Sequence, residues 1–131
     1  MAERPSGRRE GGSAIADFVL VMLVLVPLVL GIIQVALVLH VRNVTTSAAS
    51  EGARAAAVLD APLAVGVERT RHQIRAGIAD RFAEHVTARP MAVAGTPGVE
   101  VVVTSQVPAL GLFGPSVTVT ARGHAISEVE P

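Results

Sequence analysis

One uninterrupted apolar run, Phe18 to Leu39, limits what this chain can fold into more than any other feature. Its 22 residues contain a single strongly polar side chain, Gln34. As an α-helix the run is about 33 Å long, which matches a hydrocarbon core about 30 Å thick. The remaining chain is too small to surround such a helix in water. The run therefore predicts a transmembrane helix, with Pro27 and Gly31 tolerated inside it.

A cleaved secretory signal is the main alternative interpretation of this run. Such signals have about 7–15 apolar residues followed by a small-residue cleavage site. Here the run is longer and leads into the sequence His-Val-Arg-Asn at 40–43, which disfavours cleavage after the span. Three arginines precede the span and two follow it closely, which favours a cytoplasmic N-terminus. These arginines are Arg4, Arg8 and Arg9, then Arg42 and Arg54.

The residues that follow the span are mostly Ala, Ser, Thr and Gly, and they predict that the helix continues beyond the membrane. Their small size allows another helix to approach closely, so segment 47–58 is a candidate for packing against partner subunits. An ordinary Ala-rich helix is an equally good interpretation of this segment. The sequence Asp-Ala-Pro at 60–62 ends the helix, and Pro62 suits the first turn of the next one.

The rest of the chain predicts a small α+β domain. Apolar residues mainly four apart indicate an amphipathic helix from Leu63 to about Ala88, followed by a Pro- and Gly-containing loop at 89–98. Two β-rich stretches, 99–107 and 116–123, predict a C-terminal β-hairpin. Two strands alone are marginally stable in water, so the hairpin must pack on the helix or on another subunit. The fold class predicted is α+β and pseudopilin-like: a long N-terminal transmembrane helix, an amphipathic helix and the hairpin.

Composition disfavours several classes of function. The chain has eleven basic and eleven acidic residues and only three aromatic ones, which argues against nucleic-acid binding. Cysteine is absent, and none of the four histidines stands at metal-ligand spacing from another. No nucleophile elbow and no phosphate-binding loop occurs. We therefore expect a protein that is not an enzyme and that uses no cofactor or metal.

An acidic residue, Asp17, directly precedes the apolar run. A carboxylate there is tolerated near the membrane surface, and the free amides of a helix N-terminus favour it by about 0.3–1 kcal/mol. Asp17 can therefore simply be a polar residue at the membrane–water interface, with no further role. It also lies one helical turn after Ser13, which follows Gly12. If the chain were cut between Gly12 and Ser13, Asp17 would lie one turn inside a new N-terminus.

These residues carry a resemblance to a known family. A glycine, four residues, an acid and Phe before an apolar run resemble the processing site of type IV prepilins and pseudopilins. With "EGARAAA" at 51–57 and "VTVTARGHAISE" at 117–128, the chain resembles the TadE-like family of the tight-adherence (Flp) pilus. The resemblance covers most of residues 11–128. Asp17 stands where the family usually has Glu, which is one methylene longer.

The resemblance implies a minor pseudopilin that assists assembly of a tight-adherence pilus or a related secretion system. A prepilin peptidase would cut between Gly12 and Ser13, and Asp17 would act in assembly by pairing with the amine of a subunit. The organisation implied is a cytoplasmic leader at 1–12, a transmembrane helix at 13–42 and an extracytoplasmic domain at 43–131. The protein would lie in the cytoplasmic membrane, with the bilayer, the peptidase and other pilus-assembly subunits as partners. The alternative is an uncut single-pass membrane protein whose outer domain binds a ligand or cell-envelope component.

Overall fold

The computed structural model of the chain describes residues 10–58, 61–110 and 116–127. The first nine residues of the expected leader, Asp60 of the expected helix break and part of the β-hairpin loop lie outside these ranges. The elements are two helices, a 3-10 turn and three strands. They are α1 (Glu10–Ala57), α2 (Leu63–Gly77), the 3-10 turn (Asp80–Ala83), β1 (His85–Val93), β2 (Thr96–Val107) and β3 (Val117–Ile126). The predicted α+β class and the order of long helix, second helix and C-terminal sheet are confirmed.

Helix α1 has 48 residues and is continuous from the apolar run into the small domain. It passes through Pro27, which lacks the N–H that would otherwise bond to the carbonyl of Leu23. Its first part is almost entirely exposed, and none of its most apolar 18-residue window is buried. From Val41 onward one face of the helix is buried in the domain core. The prediction that the helix continues past the span is confirmed.

Helix α2 is shorter than the sequence predicts, because it ends at Gly77 rather than near Ala88. The apolar residues at 74, 78, 82 and 86 keep a four-residue spacing, which fits a helix. In the structure Ile78 caps α2, Phe82 lies in the 3-10 turn, and Val86 lies in β1. Ile74, Phe82 and Val86 all reach the same core, so the spacing reflects burial on one side and not a continuous helix.

Strand β1 was not predicted, and its residues were assigned to the end of a helix and to a loop. Pro90 lies within it, and β1 is an edge strand, where a residue without an N–H is tolerated. The connection to β2 is a two-residue turn in which Ala94 and Gly95 have φ of 50° and 83°. Positive φ at both positions is the geometry of a type I′ hairpin turn. The predicted two-stranded hairpin is therefore a three-stranded sheet.

The sheet is antiparallel with the strand order β1-β2-β3. The domain part of α1 packs across one face of β2 and β3, and α2 packs beside it. Side chains of β2 that face the helices, such as Val101 and Val103, are fully buried. On the opposite face Glu100 is held by Arg89, whose Nη2 lies 2.5 Å from a carboxylate oxygen of Glu100. The core thus lies between α1 and the inner face of the sheet.

Small residues in α1 allow its neighbours to approach its backbone. A Cβ on Gly52 would lie 1.9 Å from Oγ1 of Thr70 and 2.6 Å from the carbonyl oxygen of Gly66, both in α2. A Cβ on Gly123 in β3 would lie 2.3 Å from backbone atoms of Ala49. The buried face of segment 47–58 therefore packs within the same chain. Close packing is therefore found within the chain on this face, which α2 and β3 cover, and packing of segment 47–58 against partner subunits stays a prediction for its exposed side, which includes Arg54 and Val58.

Candidate processing and assembly site

The three predicted site residues lie in the first two turns of α1. Gly12, Ser13 and Asp17 are all helical and exposed, and the helix begins just before them at Glu10. Ser13 and Asp17 are four residues apart, so they lie on one face of the helix with a rise of about 6 Å between them. The structure therefore brings Ser13 and Asp17 together on one helix face, and Gly12 immediately precedes them.

Gly12 is not required by packing within the described chain. A Cβ built on Gly12, or on its neighbour Gly11, meets no atom within 4 Å. Glycine nevertheless weakens a helix by about 1 kcal/mol relative to alanine. The consecutive residues Gly11 and Gly12 therefore favour local unwinding of the first helical turn, next to the peptide bond between Gly12 and Ser13. A helix end that unwinds easily presents an extended backbone, which is accessible to a peptidase.

Asp17 lies at the boundary between polar and apolar surface. The residues that follow it are exposed hydrophobic side chains, such as Phe18 at 62% and Leu23 and Val24 at 69%. Asp17 forms no ion pair with any other residue in the described ranges. Within those same ranges, no three His, Asp or Glu side chains are grouped as metal ligands. The site thus consists of one exposed carboxylate at the end of an apolar helix surface.

Cutting the bond between Gly12 and Ser13 would change the electrostatics around Asp17. Residues Ala14 to Ala16 now lie within a helix that starts at Glu10, so their amides have acceptors one turn earlier. Removing residues 1–12 would leave those amides unpaired and would create a positively charged amine on Ser13. The partial positive charge of a helix N-terminus and the amine both favour a nearby carboxylate. The arrangement can therefore support pairing between Asp17 and an amine, on its own chain or on another copy.

Two further features of the structure are not predicted from the sequence. One is the contact of Gln34 with the segment that follows β2, and the other is the α1–α2 crossing at Gly52 and Gly66. The signal for the first was present, because a lone amide in an apolar run needs a partner. The second has a weaker signal, because an isolated glycine in an Ala-rich helix does not identify what approaches it.

The fold and the exposed apolar helix indicate a class, a membrane protein with one spanning helix among the described residues and a small α+β domain. Among the described residues, α1 is the one helix long and apolar enough to cross a membrane. The family described as TadE-like protein matches residues 12–54, about a third of the 131-residue chain. The match confirms the resemblance to that family over these residues. No curated protein and no solved structure matches the chain.

The family match coincides with particular parts of the structure. It begins at Gly12, contains Ser13, Asp17 and the entire apolar run, and ends at Arg54, just after Gly52. It therefore covers the predicted site, the membrane-spanning segment and the part of α1 on which the domain is built. Helix α2 and the three strands lie outside the matched residues.

Proposed function

We propose that this chain is a minor pseudopilin that assists assembly of a tight-adherence pilus or a related secretion system, without catalytic activity of its own. The observation that carries this proposal is the match to the TadE-like family from Gly12 onward, on a helix whose Gly12 no packing contact explains. A glycine that no contact among the described residues requires, directly before Ser13, supports recognition by another protein. That protein would be a prepilin peptidase that cuts between Gly12 and Ser13.

The mechanism proposed for Asp17 uses charge at the membrane surface. After cutting, the amine of Ser13 and the carboxylate of Asp17 lie within one turn of each other and near lipid. Pairing neutralises both groups, which lowers the cost of bringing this helix end against the apolar surface of neighbouring helices. The exposed apolar face of α1 supplies the packing surface inside the membrane, because α2 and β3 cover only its later part. Other pilus-assembly subunits are the partners of that surface.

The proposed topology places residues 1–12 in the cytoplasm and the domain outside the cytoplasmic membrane. This orientation follows from the arginines that flank the span and from the cytoplasmic action of the peptidase. The contrasting function is an uncut single-pass protein whose domain binds a ligand or an envelope component. The two functions differ in the fate of the bond after Gly12.

The processing step is tested with a pair of glycine variants. Gly12→Ala is expected to block removal of the first 12 residues, and Gly11→Ala is the matched control that leaves cutting intact. Neither added methyl group meets an atom within 4 Å, so neither variant perturbs the domain. Gel mobility and mass of the membrane-extracted chain report the result. Equal processing of both variants would show that Gly12 is not the recognised residue.

The assembly step is tested with charge variants of Asp17. Asp17→Asn keeps the size of the side chain and removes its charge, so membrane insertion is expected to be normal while pilus output falls. Asp17→Glu keeps the charge and is expected to retain pilus output. Pilus output is counted by electron microscopy, and insertion is measured by membrane fractionation. Full piliation with Asp17→Asn would reduce Asp17 to a marker of the membrane boundary.

A further inference from the structure

Gln34 joins the apolar run to the sheet through both ends of its side-chain amide. Its Nε2 donates a hydrogen bond to the carbonyl oxygen of Pro108 at 3.2 Å. Its Oε1 accepts a hydrogen bond from the backbone N–H of Leu110 at 2.9 Å. The segment 108–110 directly follows β2, so the end of the sheet is fixed to the helix at this level.

The level of Gln34 lies inside the predicted membrane layer. If the apolar run 18–39 is centred in a hydrocarbon core about 30 Å thick, Gln34 lies about 7 Å inside its domain-side boundary. The backbone atoms that Gln34 contacts are then at the edge of the hydrocarbon layer and not in bulk water. A backbone polar group without a partner in lipid costs several kcal/mol. Gln34 provides partners for one carbonyl and one N–H at that depth.

The surface around this contact has the chemistry that lipid requires. Leu110 is 44% exposed and Val117, at the start of β3, is 39% exposed. Pro108 has no backbone N–H that would need a partner. Residues 101–121 contain no acidic residue, no basic residue and no histidine, whereas Glu100, Arg122 and His124 lie toward the other end of the sheet. The charge-free end of β2 and β3 therefore faces the span, while in β1 the first residue, His85, lies opposite Thr104.

We propose that segment 108–110, the membrane foot, rests in the domain-side interface of the bilayer and contacts lipid acyl chains. Gln34 makes this possible by pairing the polar backbone of the foot. The foot and α1 together then fix the tilt of the domain relative to the membrane. This inference rests on the proposed membrane span, and it adds a second lipid contact that is independent of processing at Gly12.

The test uses single tryptophans, because the chain contains no Trp and no Tyr to interfere. Leu110→Trp probes the foot, and Val65→Trp is the matched control on α2, since Val65 is 45% exposed. Val24→Trp probes the span. The full chain is reconstituted at low density into phosphatidylcholine vesicles that carry bromine on the acyl chains. Bromine quenches only a tryptophan that touches those chains.

The expected result is strong quenching of Val24→Trp by deep bromines and clear quenching of Leu110→Trp by shallow bromines, with Val65→Trp unquenched. If Leu110→Trp behaves like Val65→Trp while Val24→Trp is quenched, the foot is refuted and the span stands. If Val24→Trp is also unquenched, the span itself fails. A blue-shifted but unquenched Leu110→Trp would mean that a second copy of the chain covers this surface, and it would also overturn the lipid contact.

The role of Gln34 is tested in the same background. Gln34→Leu removes both hydrogen bonds to the foot and keeps the span apolar. We expect the quenching of Leu110→Trp to fall to the level of Val65→Trp, because the unpaired backbone moves toward water. The quenching of Val24→Trp is expected to stay the same, which shows that the helix remains inserted. Unchanged quenching of Leu110→Trp in this variant would show that Gln34 does not hold the foot.

Discussion

Gly52→Ala is expected to destabilise the small domain, because α1 and α2 touch at this position through their backbones. The new Cβ would lie 2.6 Å from the carbonyl oxygen of Gly66 and 1.9 Å from Oγ1 of Thr70. Ordinary contacts of a Cβ begin near 3.4 Å. Relieving the contact with the carbonyl oxygen therefore requires α2 to move away by about 0.8 Å, even if the Thr70 side chain rotates away.

The size of the effect follows from three terms. Overpacking costs about 1–3 kcal/mol. The Thr70 hydroxyl shares its proton between the carbonyl oxygens of Gly66 at 2.8 Å and Ala48 at 3.3 Å, and loss of the longer bond to Ala48 costs at most about 0.5–1.5 kcal/mol. That bond is 3.3 Å long and buried, so it does not survive a movement of this size. The higher helix propensity of alanine stabilises α1 by about 1 kcal/mol and offsets part of this loss. The net loss in the free energy of unfolding of the domain is about 2 kcal/mol.

Hydrogen exchange of the detergent-solubilised full chain measures this loss directly. A difference of about 2 kcal/mol corresponds to about 30-fold faster exchange of α2 and the strands through domain opening. Gly31→Ala is the control in the same helix, because its Cβ meets no atom within 4 Å. Adding Thr70→Ala to Gly52→Ala should cost less than the sum of the two single changes, because the hydroxyl contact is gone. Equal exchange in Gly52→Ala and Gly31→Ala would refute the close crossing.

Three further changes test other parts of the domain by the same measurement. Gly123→Ala forces a Cβ within 2.3 Å of the backbone of α1, which cannot rotate away, so we expect a loss of about 3 kcal/mol. Ser105→Ala removes a 2.8 Å buried hydrogen bond to the carbonyl oxygen of Phe82, and a loss of about 1–2 kcal/mol is expected. Glu100→Gln weakens the pair between a 10% exposed carboxylate and Arg89, which is 68% exposed; Gln keeps the shape and one acceptor oxygen, so a loss of about 1 kcal/mol is expected. The packing described would be contradicted if Gly123→Ala left the domain as stable as the unmodified one, or if Ser105→Ala caused almost no loss. A loss for Glu100→Gln larger than that for Gly123→Ala would also contradict it.

The parts of the fold that the sequence predicts well are those decided by composition over a long stretch. The apolar run from Phe18 to Leu39 allows one solution, a helix, and the alternating residues at 116–123 indicate a strand. The end of α2 was missed because burial at Ile74, Phe82 and Val86 imitates a helical period. The sequence does not predict strand β1, because Pro90 and the nearby glycines indicate a loop, whereas an edge strand also accepts a proline.

The sequence predicts where the candidate site residues lie, but not what they do in processing and assembly. Gly12, Ser13 and Asp17 are exposed on the first turns of α1, as the sequence predicts for the start of an apolar helix, and no described part of the chain covers them. Their action depends on a peptidase and on other copies, which a single chain does not contain. The small residues of 47–58 illustrate the opposite case. Close packing was predicted for them, but their partner is the chain itself, because distant segments such as α2 and β3 fold back onto them.

The identity of the first residue in the membrane-extracted protein tests the central claim most directly. The chain is expressed in a host with an active prepilin peptidase, and the N-terminal peptide is identified by mass spectrometry. Processing at the proposed bond predicts that the major species begins at Ser13, with residues 1–12 absent. A major species that still begins at Met1 or Ala2 would contradict the pseudopilin function and would favour an uncut single-pass membrane protein.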